Sequence, residues 1–119
     1  MSHGKSICVW FQSADRVRLR EGVDMALMAL AIDIPVSICL VGAALGRLNE
    51  ELGGTQNRES GWYGPLRSLR LYGVDVIHAE AGNPDIVASA TKFSGLALQF
   101  LDLGSLRELA MEHELWYRV

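Results

Sequence analysis

Apolar residues fall along this chain in short, nearly unbroken runs, separated by stretches in which they recur every three or four positions. The first run, ICVWF at 7–11, is β-branched and aromatic without strict alternation, the pattern of a strand buried on both faces. A helix is predicted over 16–32, with Ser13 or Asp15 offering a side-chain oxygen to its first amides. Val23, Leu27, Leu30 and Ala31 share one of its faces. Its second half, 25–32, is apolar all round, which predicts cover on every side, from its own domain or from another chain.

Pro35 introduces a second strand at 36–41, and Gly42 breaks it. Leu45, Leu48 and Leu52 then mark a short helix that Gly53-Gly54 stops. The segment 55–64 is polar and glycine-containing and reads as a loop. Pro65 suits the first position of the next helix, with Leu66, Leu69 and Tyr72 on one face and Gly73 as its cap. A third strand is predicted at 74–79, and a helix from an Asn83 cap to about Phe93. A fourth strand follows at 95–101. Ser105 and Glu108 match a capping box for a helix reaching about Glu114. A last strand is predicted at 115–119.

Strand and helix alternate, and links this short serve as crossover helices between parallel strands. The expected architecture is one domain over 1–119, a three-layer α/β/α sandwich with a five-stranded, mostly parallel sheet of Rossmann or flavodoxin type. With 119 residues, 50% of them hydrophobic and 21% charged, the chain has the means for a core without staples. The slight apolar excess predicts that partner subunits cover part of the surface.

Charge and motifs exclude more than they assign. A net charge of −3 argues against general nucleic-acid binding, and Arg16, Arg18, Arg20, Arg67 and Arg70 read as solvated faces of amphipathic helices. No stretch reaches the length of a membrane span and no secretory pattern precedes the first strand, so a cytoplasmic protein with reduced thiols is expected. Neither a dinucleotide fingerprint nor a phosphate-cradling loop is present. The end of the first strand lacks the paired acids that hold magnesium in response regulators, and no serine elbow occurs. His3, His78 and His113 are scattered, without metal-ligand spacing. Cys8 and Cys39 sit mid-strand among apolar neighbours and read as small buried hydrophobes. No catalytic residue, cofactor or metal is therefore expected. Ligands of open parallel sheets bind at the strand carboxyl ends, which makes Gln12, Ser13, Gly42 and Glu80 the candidate pocket. Trp62 and Tyr63 in the glycine-bounded loop, with Met25 and Met28 on the apolar helix, are the candidate interface. Packing of the two aromatics beneath the loop, and of the two methionines in the core, is the alternative.

Three stretches carry a resemblance. They are REGVDMAL at 20–27, LRSLRLYGV at 66–74, and SLREL at 105–109 followed by the aromatic ending LWYRV. In order and spacing they resemble the DsrE/DsrF family, and within it the TusC/DsrF-like branch. The resemblance implies a DsrEFH-like fold and assembly with TusD/DsrE-like and TusB/DsrH-like sister subunits. It implies a persulfide relay serving tRNA 2-thiouridine formation or sulfur oxidation. The acceptor cysteine of such relays belongs to the TusD/DsrE-like sister, after its third strand. The equivalent stretch here, EAGNPDIV at 80–87, has no cysteine, which implies a scaffolding role. Two departures from the branch are Gly42-Ala43-Ala44, where acids are usual, and Gln12 to Asp15, where an aromatic-glycine turn is usual. They leave open a divergent homo-oligomer that binds a small molecule or nucleotide at the strand ends.

Overall fold

The computed structural model describes residues 5–53, 62–82 and 97–119. Its strands are β1 (Ile7–Phe11), β2 (Val36–Leu40), β3 (Val76–Glu80), β4 (Ala97–Leu101) and β5 (Leu115–Arg118). Its helices are α1 (Arg16–Ala31), α2 (Ala43–Gly53), α3 (Tyr63–Ser68), which tightens into a 3-10 turn at Leu69–Tyr72, and α4 (Leu103–Met111). The strands form one five-stranded sheet in the order β4-β3-β2-β1-β5, and every pairing is parallel.

That order explains the layers. From β1 to β4 each strand lies beside its predecessor on the same side. The chain then recrosses the sheet through α4 to place β5 beside β1. Crossovers are right-handed, so reversing the direction of travel puts the returning helix on the opposite face. Accordingly Ile7, Val9, Phe11, Ile38 and Leu40 pack with α1, α2 and α3, whereas Cys8, Trp10, Cys39 and Val41 pack with Leu106 and Ala110 of α4. β1 lies inside the sheet between β2 and β5, and all five of its residues are buried, as its unbroken apolar run requires.

The helix ends follow local chemistry. Asp15 caps α1, its Oδ1 accepting from Val17 N at 3.0 Å, while Ser13 Oγ accepts from Asp15 N at 2.9 Å. At the far end of α1, Asp33 N donates to Leu30 O and Ile34 N to Ala29 O, a Schellman closure that holds Asp33 at φ 61°. The same pair of bonds, Gly73 N to Arg70 O and Val74 N to Leu69 O, closes the 3-10 turn. There the left-handed φ of 101° calls for glycine. Because Val74 is used in that closure, β3 begins at Val76 rather than at 74. Two other starts differ from expectation. Asp102 Oδ1 accepts from Ser105 N at 2.6 Å, so α4 begins at Leu103 and Ser105 lies within its first turn instead of capping it. This backbone hydrogen bond from Ser105, with a second from its side chain, holds the Asp102 carboxyl below its ordinary range. Pro65 is the third residue of α3, still among the positions whose N–H has no helical partner. The helix predicted at 83–93 and the start of the fourth strand at 95 lie outside the described residues.

Candidate functional site

At the carboxyl edge of the sheet, the four candidate pocket residues separate into two pairs. Gly42, in a left-handed conformation at φ +53°, donates its N–H to Glu80 Oε1 at 2.9 Å across the β2–β3 boundary. Together with Leu45, Ala81 and Gly82 they line a cavity of about 210 Å³. The Glu80 carboxylate sits at the start of α2, where the helix end attracts negative charge. It thus takes the place that a ligand phosphate would seek. Gln12 and Ser13 are occupied elsewhere. Gln12 Oε1 accepts from Trp10 Nε1 at 3.1 Å, and the backbone amides of both residues donate to Val119 O. The two backbone bonds fasten the residue that follows β5.

The two thiols face α4. Cys8 and Cys39 are both fully buried, with their sulfurs 3.7 Å apart. Cys8 is opposite Ser37 and Cys39 opposite Trp10, so the pair is diagonal across β1 and β2. A disulfide needs its sulfurs about 2.0 Å apart, and these stand at 3.7 Å. This is a pair of thiols in contact. The hydrogen bond between the two sulfurs lowers the Cys8 thiol, against the burial that raises it. Cys39, whose proton is held by Cys8 and shielded by burial, is pushed far up. Neither sulfur reaches solvent, and a reactive thiol needs access as well as charge. We therefore expect neither thiol of the native protein to react with a water-soluble disulfide reagent within minutes, and both to react in denaturant. Rapid labelling of the native chain would show that α4 opens readily.

A polar row on the same face was not apparent from the sequence. Cys39 is in register with His78, and His78 with Gln99. Burial pushes the His78 imidazole below its ordinary range, a hydrogen bond with the Gln99 side chain opposes this, and the charge of His113 adds to it. Its Nδ1 is buried and has no hydrogen-bond partner among the described residues. His113 is anchored at the end of α4, Nδ1 to Leu109 O and Nε2 to Ser37 Oγ, both at 2.9 Å. Among the described residues no three His, Cys, Asp or Glu side chains gather as metal ligands do. The available signal was the alternation Ser37, Cys39 and His78, Gln99, which aligns only once strand order is known.

The candidate interface residues also divide. Trp62 is fully buried in its own chain, its ring 5.1 Å from that of Phe11. Its side chain therefore offers no surface to a partner, contrary to the expectation of an exposed anchor. Glu51, largely buried, accepts from Trp62 N at 3.0 Å and from Arg47 Nε at 2.9 Å. This acid draws the returning chain onto α2. The Tyr63 side chain lies outside the described residues. Met25 is half-buried, whereas Met28 and Ile32 are 67% and 69% exposed. With Ala31 and Ile34 they border an apolar groove of about 370 Å³ at the end of α1.

A scan against protein-family models and a search of curated proteins both return no match. The DsrE/DsrF resemblance accordingly rests on the motifs quoted above. No helix among the described residues is long and apolar enough to cross a membrane.

Proposed function

We propose that the chain is a non-catalytic, TusC/DsrF-like subunit of a cytoplasmic sulfur-transfer complex, serving tRNA 2-thiouridine formation or sulfur oxidation by holding sister chains in place. The observation that carries this reading is the combination of two inaccessible thiols with an open apolar face. Cys8 and Cys39 have no exposure, and Met28 and Ile32 stand in solvent on a helix segment whose composition calls for cover. The cysteine-free stretch 80–87 supports the same division of labour. A reducing compartment suits two unpaired thiols.

Native mass spectrometry of the tagged chain from its own host tests the proposal. We expect a complex with two small α/β chains, one carrying a labelable cysteine after its third strand. The double variant Met28→Glu/Ile32→Glu should retain its melting temperature and bind those chains at least about tenfold more weakly, since each change places a charge at the contact. A monomer recovered beside intact, active sister chains would overturn the reading. So would a persulfide appearing on Cys8 or Cys39 at the rate of turnover. One observation favours a second reading, a homo-oligomer with a ligand at the strand ends: the Gly42–Glu80 cavity. The same mass measurement separates the two, because that reading requires copies of this chain alone.

A further inference from the structure

We infer that the groove along α3 and its 3-10 extension binds a small organic anion, a phosphate or carboxylate carried on an apolar body. The groove measures about 410 Å³ and is lined by Gly64, Arg67, Ser68, Arg70 and Leu71. That is the size of a small-molecule site. Arg67 and Arg70 are three residues apart where the helix tightens to 3-10, a geometry that brings i and i+3 onto one side. Neither guanidinium has a carboxylate within reach among the described residues, where the ion pair formed is Arg47 with Glu51. In a chain of net charge −3, two neighbouring arginines without an ion-pair partner among the described residues form a local basic site in one concavity. Guanidinium groups match the planar fork of an oxyanion.

The other lining groups define the rest of the ligand. Leu71 is 83% exposed, an apolar surface left open among the described residues. The Ser68 hydroxyl already donates to Pro65 O at 2.6 Å, so it adds an acceptor and no donor for the anion. A basic residue in the last turn of a helix ordinarily interacts with the terminal carbonyls. That role accounts for one cation at each helix end, and leaves the shared concavity and the bare leucine unexplained. A volume of about 410 Å³ suits a small ligand rather than a peptide. This inference is independent of the docking reading, since neither Met28 nor Ile32 lines the groove.

Amide NMR titration of the full chain tests it, with phenyl phosphate, benzoate, inorganic phosphate and an acidic decapeptide as probes. Saturable shifts at residues 64–71 are expected with phenyl phosphate, with benzoate, or with both. The arm that binds more tightly identifies the oxyanion. Inorganic phosphate, lacking the apolar body, should bind more weakly. The variant Arg67→Gln/Arg70→Gln should lose at least about tenfold in affinity with its melting temperature retained, and Arg16→Gln/Arg20→Gln should bind as the parent does. The inference is overturned by an absence of saturable shifts with either aromatic probe. Equal binding by Arg67→Gln/Arg70→Gln, or binding of the decapeptide alone, would overturn it as well.

Discussion

Trp62→Ala should lower unfolding stability by about 3–5 kcal/mol, read as a shift in urea midpoint with little change in slope. The indole is fully buried and packs at 5.1 Å and 38° against Phe11, itself fully buried at the carboxyl end of β1. Removing it opens a cavity between α3 and the sheet that the surrounding Leu66, Leu69 and Leu48 would fill only by leaving their rotamers. A domain of this size has about 5–15 kcal/mol in total, so the variant should be near its unfolding limit at 37 °C. Trp62→Phe separates packing from polarity. The indole Nε1 is buried and has no partner among the described residues, so the phenyl ring gives up volume while removing an unpaired donor. Its loss should be well under half that of alanine. If Trp62→Ala costs less than about 1 kcal/mol, the 62–72 segment is not part of the cooperative core.

How much of this was legible in the sequence can be judged from the same tryptophan. Its neighbours in sequence, GWYG after a polar stretch, describe a loop. Its ring joins the core against Phe11, and its amide is tied to Glu51, eleven residues earlier, whose carboxylate accepts it. A buried acid satisfied by a backbone N–H has no periodic signature, whereas the unbroken run of β1 and the Gly73 closure were each readable from local rules. The start of α4 differs from the Ser105–Glu108 expectation because two acceptors compete there, and Asp102, the earlier, captures the Ser105 amide before that box can form. Strand order was unreadable for a different reason. Every strand pairing is parallel, and nothing local distinguishes the step from β1 to β2 from the return of β4 to β5. Without that order the Gly42–Glu80 contact, which joins residues 38 apart, and the His78 row remained hidden. The all-round apolar end of α1 was legible as a composition, and the structure divides it. Ala26 and Ala29 are buried, while Met28 and Ile32 stay exposed.

Gly22→Ala should destabilise the chain by about 1–2 kcal/mol, although the same change in an exposed helix would stabilise it by up to about 1 kcal/mol. Gly22 faces the sheet, where an added Cβ would stand 2.5 Å from Phe11 Cε1, 2.8 Å from Val119 Cγ2 and 2.9 Å from Phe11 Cζ. Neither neighbour is free to yield. The Phe11 ring is held on its other side by Trp62. Val119 is fixed by its N–H to Trp10 O and by its carbonyl, which accepts from Gln12 and Ser13. The methyl must therefore push α1 away from β1 along the line that also anchors the last strand. Pairing the change with Phe11→Leu tests this account, because the smaller side chain makes room for the methyl. The double variant should be more stable than the sum of the two single losses, with a coupling of about 1 kcal/mol or more. Strictly additive losses, or a net gain from Gly22→Ala alone, would mean that α1 rides farther from the sheet than these contacts require.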